Sequence, residues 1–102
     1  MQIKFKTNKI QKTCNDPKTM LKALGVQMSK KLRECLVYLS AADSFDDLYL
    51  EPIKSKTDFH ELKGDRSGEY AMSLSGNHRL ILTKNEFDNT LVIVLEIGTD
   101  YH

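Results

Sequence analysis

The hydrophobic period of this chain changes once, near Thr57, from the 3.6 of a helix to the 2 of a strand, and that switch limits the folds open to it. Before it, Met28, Leu32, Cys35, Leu36 and Leu39 recur at i, i+4, i+7, i+8 and i+11, while Ser29, Lys30, Lys31, Arg33 and Glu34 take the other faces. That is the pattern of an amphipathic helix. After it, Tyr70, Met72 and Leu74 alternate with Glu69, Ala71, Ser73 and Ser75. "SGN" then supplies a turn, and His78, Leu80 and Leu82 alternate with Arg79, Ile81 and Thr83, which together read as a hairpin. A second turn near "NEFDN" leads into the apolar run Leu91 to Leu95, suited to a central strand covered on both sides.

The segments before Met28 fit the same plan. "MQIKF" alternates and can form a short first strand, and Ile10 and Cys14 make a small helical stripe. Asp16 followed by Pro17 reads as an N-cap and a first-turn proline, starting a helix that buries Met20, Leu21 and Leu24 and stops at Gly25. Ser44 is expected to open a further helical turn, and Pro52 an irregular segment through Lys56. The order is strand, helices, then an antiparallel meander: an α+β domain with helices against one sheet face.

At 102 residues, 40% of them hydrophobic, the chain fits one domain over residues 1–102 with a single core. It contains neither an apolar run long enough for a membrane span nor a signal-peptide stretch, so it is read as cytoplasmic with no membrane partner. Cys14 and Cys35 lack metal-ligand spacing and read as reduced thiols packed as small hydrophobes.

Charge is distributed unevenly. Residues 1–35 hold nine Lys and Arg against Asp16 and Glu34, a surplus of seven positive charges, and the other 67 hold six against twelve acids, a deficit of six. A basic face built by the first elements, carrying Lys9, Lys12, Lys30 and Lys31, suits phosphate, although a solvated helix surface would look the same.

The chemistry-bearing residues cluster late. "FHELKGDRSGEY" places His60 and Lys63 three apart, with Arg66 beside them; Arg79 starts the second hairpin strand and His102 is the last residue. There is no GxSxG elbow, P-loop, dinucleotide fingerprint or zinc motif, so no cofactor or metal is expected. Metal-free RNA cleavage is among the chemistries left. It needs a base for the 2′-hydroxyl, an acid for the leaving 5′-oxygen and cations for the phosphorane-like transition state. Histidine suits the proton roles and Lys and Arg the phosphate. Strict strand alternation would send His60 and Lys63 to opposite faces, so the chain is expected to bend near Leu62. His78, next to the turn, reads as surface or sheet packing.

"HELKGDRSGEYAMSLSGNHRLIL" followed by a terminal "DYH" resembles the HigB branch of the RelE-type ribonuclease toxins. The shared pattern falls on His60, Lys63, Gly64, Asp65, Arg66, Gly68 and Tyr70, then Arg79, then Asp100, Tyr101 and His102. Two positions depart from it: Ser67 stands where lysine is frequent, and His78 where an aromatic residue usually precedes the arginine. The resemblance implies a RelE-like α+β fold, with an N-terminal strand and two to three helices packed on one face of an antiparallel sheet. It implies a toxin that cuts mRNA in the A site of the 70S ribosome. It further implies a helix-turn-helix, HigA-like antitoxin, through which the complex would bind operator DNA. On that resemblance Lys63 and Arg79 stabilise charge, His60 and His102 serve as base or acid, Tyr101 contacts a base, and Asp100 orients its neighbours. Arg66 and the helix lysines would contact RNA. The alternative is a degenerate module of the same fold that binds RNA or protein without cutting.

Overall fold

The computed structural model describes residues 1–100, the last by its backbone alone. Strand β1 (Gln2–Phe5) leads into helix α1 (Asn8–Asn15), helix α2 (Pro17–Ala41), a 3-10 turn (Phe45–Tyr49) and helix α3 (Ile53–Thr57). Then follow β2 (His60–Glu61), a second 3-10 turn (Gly64–Arg66), β3 (Tyr70–Ser75), β4 (His78–Lys84) and β5 (Leu91–Asp100). The five strands form one sheet in the order β1-β5-β4-β3-β2. β2 to β5 are antiparallel, as expected, and β1 joins the edge parallel to β5, with Ile3 opposite Val92. Among the described residues no helix is long and apolar enough to cross a membrane.

Local chemistry accounts for the helix boundaries. Thr7 caps α1 by accepting from the Ile10 amide at 3.1 Å, and Asp16 caps α2 by accepting from Lys18 at 3.2 Å, with Pro17 at the first turn where no amide is needed. Gly25 breaks α2 at φ 80° and ψ 178°, backbone that only glycine adopts readily. The Ser29 hydroxyl then donates to the Met20 carbonyl at 3.2 Å, tying the two helical segments across the break. Ser29 is therefore buried rather than surface-facing, and Leu21, expected inside, is 49% exposed because the core-facing stripe of this segment runs through Met20 and Leu24. The span expected to be irregular after Pro52 forms α3, closed by Asp58 in the left-handed region at φ 52°.

One face of the sheet makes the core. Met72, Leu74, Leu80, Leu82, Val92 and Val94 pack with Leu32, Cys35 and Leu39 of α2. The first half of the interior strand β5, Leu91 to Leu95, alternates half-buried with buried residues, so there its helix side is the better covered. An aromatic group closes the β2 end of the core: Phe59 stacks on Tyr70 at 5.6 Å between ring centres, and Phe45 meets both edge-on.

Candidate functional site

The pleat that turns Met72 and Leu80 to the helices turns their neighbours the other way. Register pairs His60 with Ala71, Ala71 with Ile81 and Ile81 with Glu96, so these four lie in one row on the face opposite α2. The next row on that face holds Ser73, Arg79 and Thr99. His60 and Arg79, 19 residues apart in sequence, thus share a face two strands and one row apart, a spacing of about 12 Å between backbones.

Each is held locally. His60 Nδ1 lies 2.7 Å from the Asp58 carbonyl oxygen, to which it donates, leaving Nε2 with the lone pair when the ring is neutral. The buried ring of Phe59 fixes the backbone immediately before it. Arg79 donates through Nη1 to the carbonyls of Gly76 at 2.6 Å and His78 at 3.1 Å, so its guanidinium rests on the hairpin turn. His78 Nδ1 lies 3.2 Å from the Ser75 carbonyl, a local turn contact.

β2 pairing ends at Glu61, and the exposed Lys63, its backbone still extended at φ −113° and ψ 172°, stands at the entrance to the Gly64–Arg66 turn. The turn that follows lies at Gly64–Arg66, beyond Lys63. The loop then folds back over the open face: Gly68 offers its carbonyl to Thr83 Oγ1 at 3.0 Å, and Leu62 donates to the Glu69 carbonyl at 2.8 Å.

Arg66 is engaged at both ends of its fork. Its Nε donates to Glu69 Oε1 at 2.8 Å, and its Nη2 also bonds Glu96 on β5. Glu96 accepts in addition from Thr99 Oγ1 at 3.0 Å. The two carboxylates push the Arg66 guanidinium above its ordinary range. Partial burial pulls the Glu96 carboxyl up, but the bonds from Arg66 and Thr99 win and hold it low. The residue types of Glu69, Glu96 and Thr99 carried no signal for this network, because its central partners Arg66 and Glu96 lie 30 residues apart and are brought together by the fold.

The basic residues divide. Lys9 and Lys12 stand exposed on α1, and Lys9 lines a cavity of about 480 Å³ with Ile10, Leu24, Leu95, Glu96 and Thr99. Lys30 is exposed on α2, behind the sheet from His60 and Arg79. Lys31 is spent on structure, donating to the Lys56 carbonyl at 2.7 Å beside Glu34. The side chain of Asp100, and Tyr101 and His102 altogether, lie outside the described residues. Among the described residues no group of three or more His, Cys, Asp or Glu side chains is arranged to hold a metal ion.

No protein-family model matches the chain, and no curated protein matches it. Solved structures do. A YoeB dimer from Staphylococcus aureus superposes with TM-score 0.63 at 19% identity, over 99% of this chain and 98% of the other. The fold is that of the YoeB toxins. A YoeB/ParE toxin from Agrobacterium tumefaciens gives TM-score 0.62 at 13% identity, covering 99% and 100% of the two chains. YoeB in a heterotetrameric YoeB-YefM toxin-antitoxin complex from Staphylococcus aureus gives 0.61 at 20%, over 99% and 98%. At these identities the likeness extends to the YoeB-like backbone, and the function has to be argued from the residues on it.

Proposed function

We propose that this protein is a HigB-like toxin of a type II toxin-antitoxin system, a ribosome-dependent, metal-independent endoribonuclease that cuts mRNA in the A site. The observation that carries this reading is the placement of His60 and Arg79 on one sheet face, the one α2 does not cover, with the Lys63 loop folded toward it. In this reading His60 Nε2 takes the proton from the 2′-hydroxyl, and the freed oxygen attacks phosphorus. Lys63 and Arg79 neutralise the developing charge. The 5′-oxygen leaves with a proton from His102, and a 2′,3′-cyclic phosphate remains. Asp100 and Tyr101 orient the base and its neighbours, and the basic residues Lys9, Lys12 and Lys30 hold rRNA. A helix-turn-helix, HigA-like antitoxin neutralises the protein in the cytoplasm and carries the complex to operator DNA; the YefM partner in the YoeB-YefM structures is consistent with an antitoxin of some kind.

The test is to map message ends on programmed 70S ribosomes. New ends confined to the A site and bearing a cyclic or 3′-phosphate are expected. Lys63→Ala, Arg79→Ala and His60→Asn should each lower the rate by about 10² to 10⁴, the usual worth of a proton-transfer or charge-stabilising group. His60→Asn keeps a donor near the Asp58 carbonyl and removes only the base. Ribosome binding without new ends would replace this reading with the binding module.

A further inference from the structure

The strap formed by Arg66 is a long-range polar connection across the open face, spanning 30 residues of sequence. It starts in the loop that carries Lys63, passes the β4 position where Ile81 is fully buried, and ends on Glu96 of β5. Both neighbours of the guanidinium are fixed in turn. Glu69 stands at the foot of β3, its carbonyl accepting from Leu62, and Glu96 is steadied by Thr99. Glu96 lies four residues before Asp100 on the same strand. The strap therefore joins two stretches that are remote in sequence and that the proposed site draws on together: the Lys63 loop and the end of β5.

We propose that Arg66 and Glu96 act as a positioning pair that locks the Lys63 loop against the end of β5, and that Arg66 does not bind RNA phosphate. The catalytic part of this inference rests on the endoribonuclease reading above. A guanidinium already held by two carboxylates has little positive charge to offer a phosphate, and pulling it away would leave Glu69 and Glu96 unneutralised beneath an anionic message. Its geometric value is larger, since small displacements of a charge-stabilising group cost rate steeply.

The two roles for Arg66 predict opposite signs for one substitution. If Arg66 is a phosphate contact, Glu96→Gln releases it and strengthens ribosome binding. If it is half of a strap, Glu96→Gln loosens the loop and slows cleavage. On programmed ribosomes, Glu96→Gln and Arg66→Gln are each expected to lower the single-turnover rate about 10- to 100-fold. The ribosome concentration for half-maximal rate should stay within about twofold, and the double variant should fall within about threefold of the worse single, because the partners act as a unit. Tighter binding or an unchanged rate in Glu96→Gln, or losses that multiply in the double, would overturn the pairing. Amide hydrogen exchange on the isolated protein gives a readout independent of activity. Both variants should speed exchange at Leu62 and Gly68 while leaving β3 and β4 amides protected, and unchanged loop protection would also overturn it. If the wild-type protein leaves the message uncut, the endoribonuclease reading fails and the exchange result alone decides the strap.

Discussion

The two cysteines show how burial sets the chemistry of a single residue. Cys14 and Cys35 are both buried free thiols, and desolvation pushes their pKa values from 9.0 up to about 11 and about 12. A raised folded-state value means that stability is complete below the unfolded thiol's pKa and is lost as pH rises from about 9 toward 12. Over that window each thiol removes up to about 1.4 kcal/mol per pH unit. Tyr49 and Tyr70, also raised chiefly by burial, add to the loss at the alkaline end. Urea midpoints measured from pH 8 to 11 should fall steadily, and Cys35→Ala, though less stable at pH 8, should show a shallower decline. A parallel decline would mean that Cys35 is not the titrating group. The reading of both thiols as small hydrophobes followed from their spacing alone. The roles of Glu96 and Asp58 did not, because a carboxylate's or carbonyl's partner is set by register and by a left-handed turn, neither of which leaves a residue-type signature.

At the scale of elements, "FHELKGDRSGEY" is a polar loop clipped at both ends by aromatic residues. Phe59 is fully buried and stacks almost parallel on Tyr70, with an interplanar angle of 4°. Two-residue β2 makes few ladder bonds of its own, so this stack and Phe45 hold it to β3. Phe59→Ala should cost about 3–5 kcal/mol by leaving a cavity in the core. It should also free the His60 backbone, so cleavage is expected to fall by more than the loss of folded protein explains. The measurement is a urea titration alongside the rate per folded molecule, and an unchanged rate per folded molecule would show that His60 is held by its Asp58 contact alone. Elements with long, regular patterns were legible from sequence: the helix through Met28 and Leu39 and the hairpin of β3 and β4 stand where their periods put them. α3 was not, since five residues after a proline are too short to show a helical period. The parallel addition of β1 was equally silent, because a lone alternating pentapeptide does not specify its neighbour or direction.

Across the whole molecule the sheet separates the side packed by α2 from the side that carries His60 and Arg79. α1 and α2 carry the basic surplus of the first 35 residues, and α2 covers the helix side of the sheet. His60 and Arg79 stand on the other side. One phosphate cannot touch Lys30 and Arg79 together. If the protein grips rRNA with its helices while cutting mRNA with its open face, binding and catalysis are separable by salt. Replacing Lys9 and Lys12 together by Gln should lower the slope of log affinity for 70S ribosomes against log salt by about 1.4–1.8, from the release of two counterions. The cleavage rate at saturating ribosome should change little: both lysines stand on α1 rather than on the strands of His60 and Arg79, although Lys9 lines a cavity with Glu96 and Thr99 of their rows. Lys31→Gln should alter that slope little and reduce stability instead, since its ammonium is committed to the Lys56 carbonyl and Glu34. Filter binding at four salt concentrations with single-turnover cleavage at saturation measures both quantities. An unchanged slope in the Lys9, Lys12 double variant would show that α1 does not face RNA, and a lost maximal rate would place those lysines with the reacting phosphate rather than with the grip.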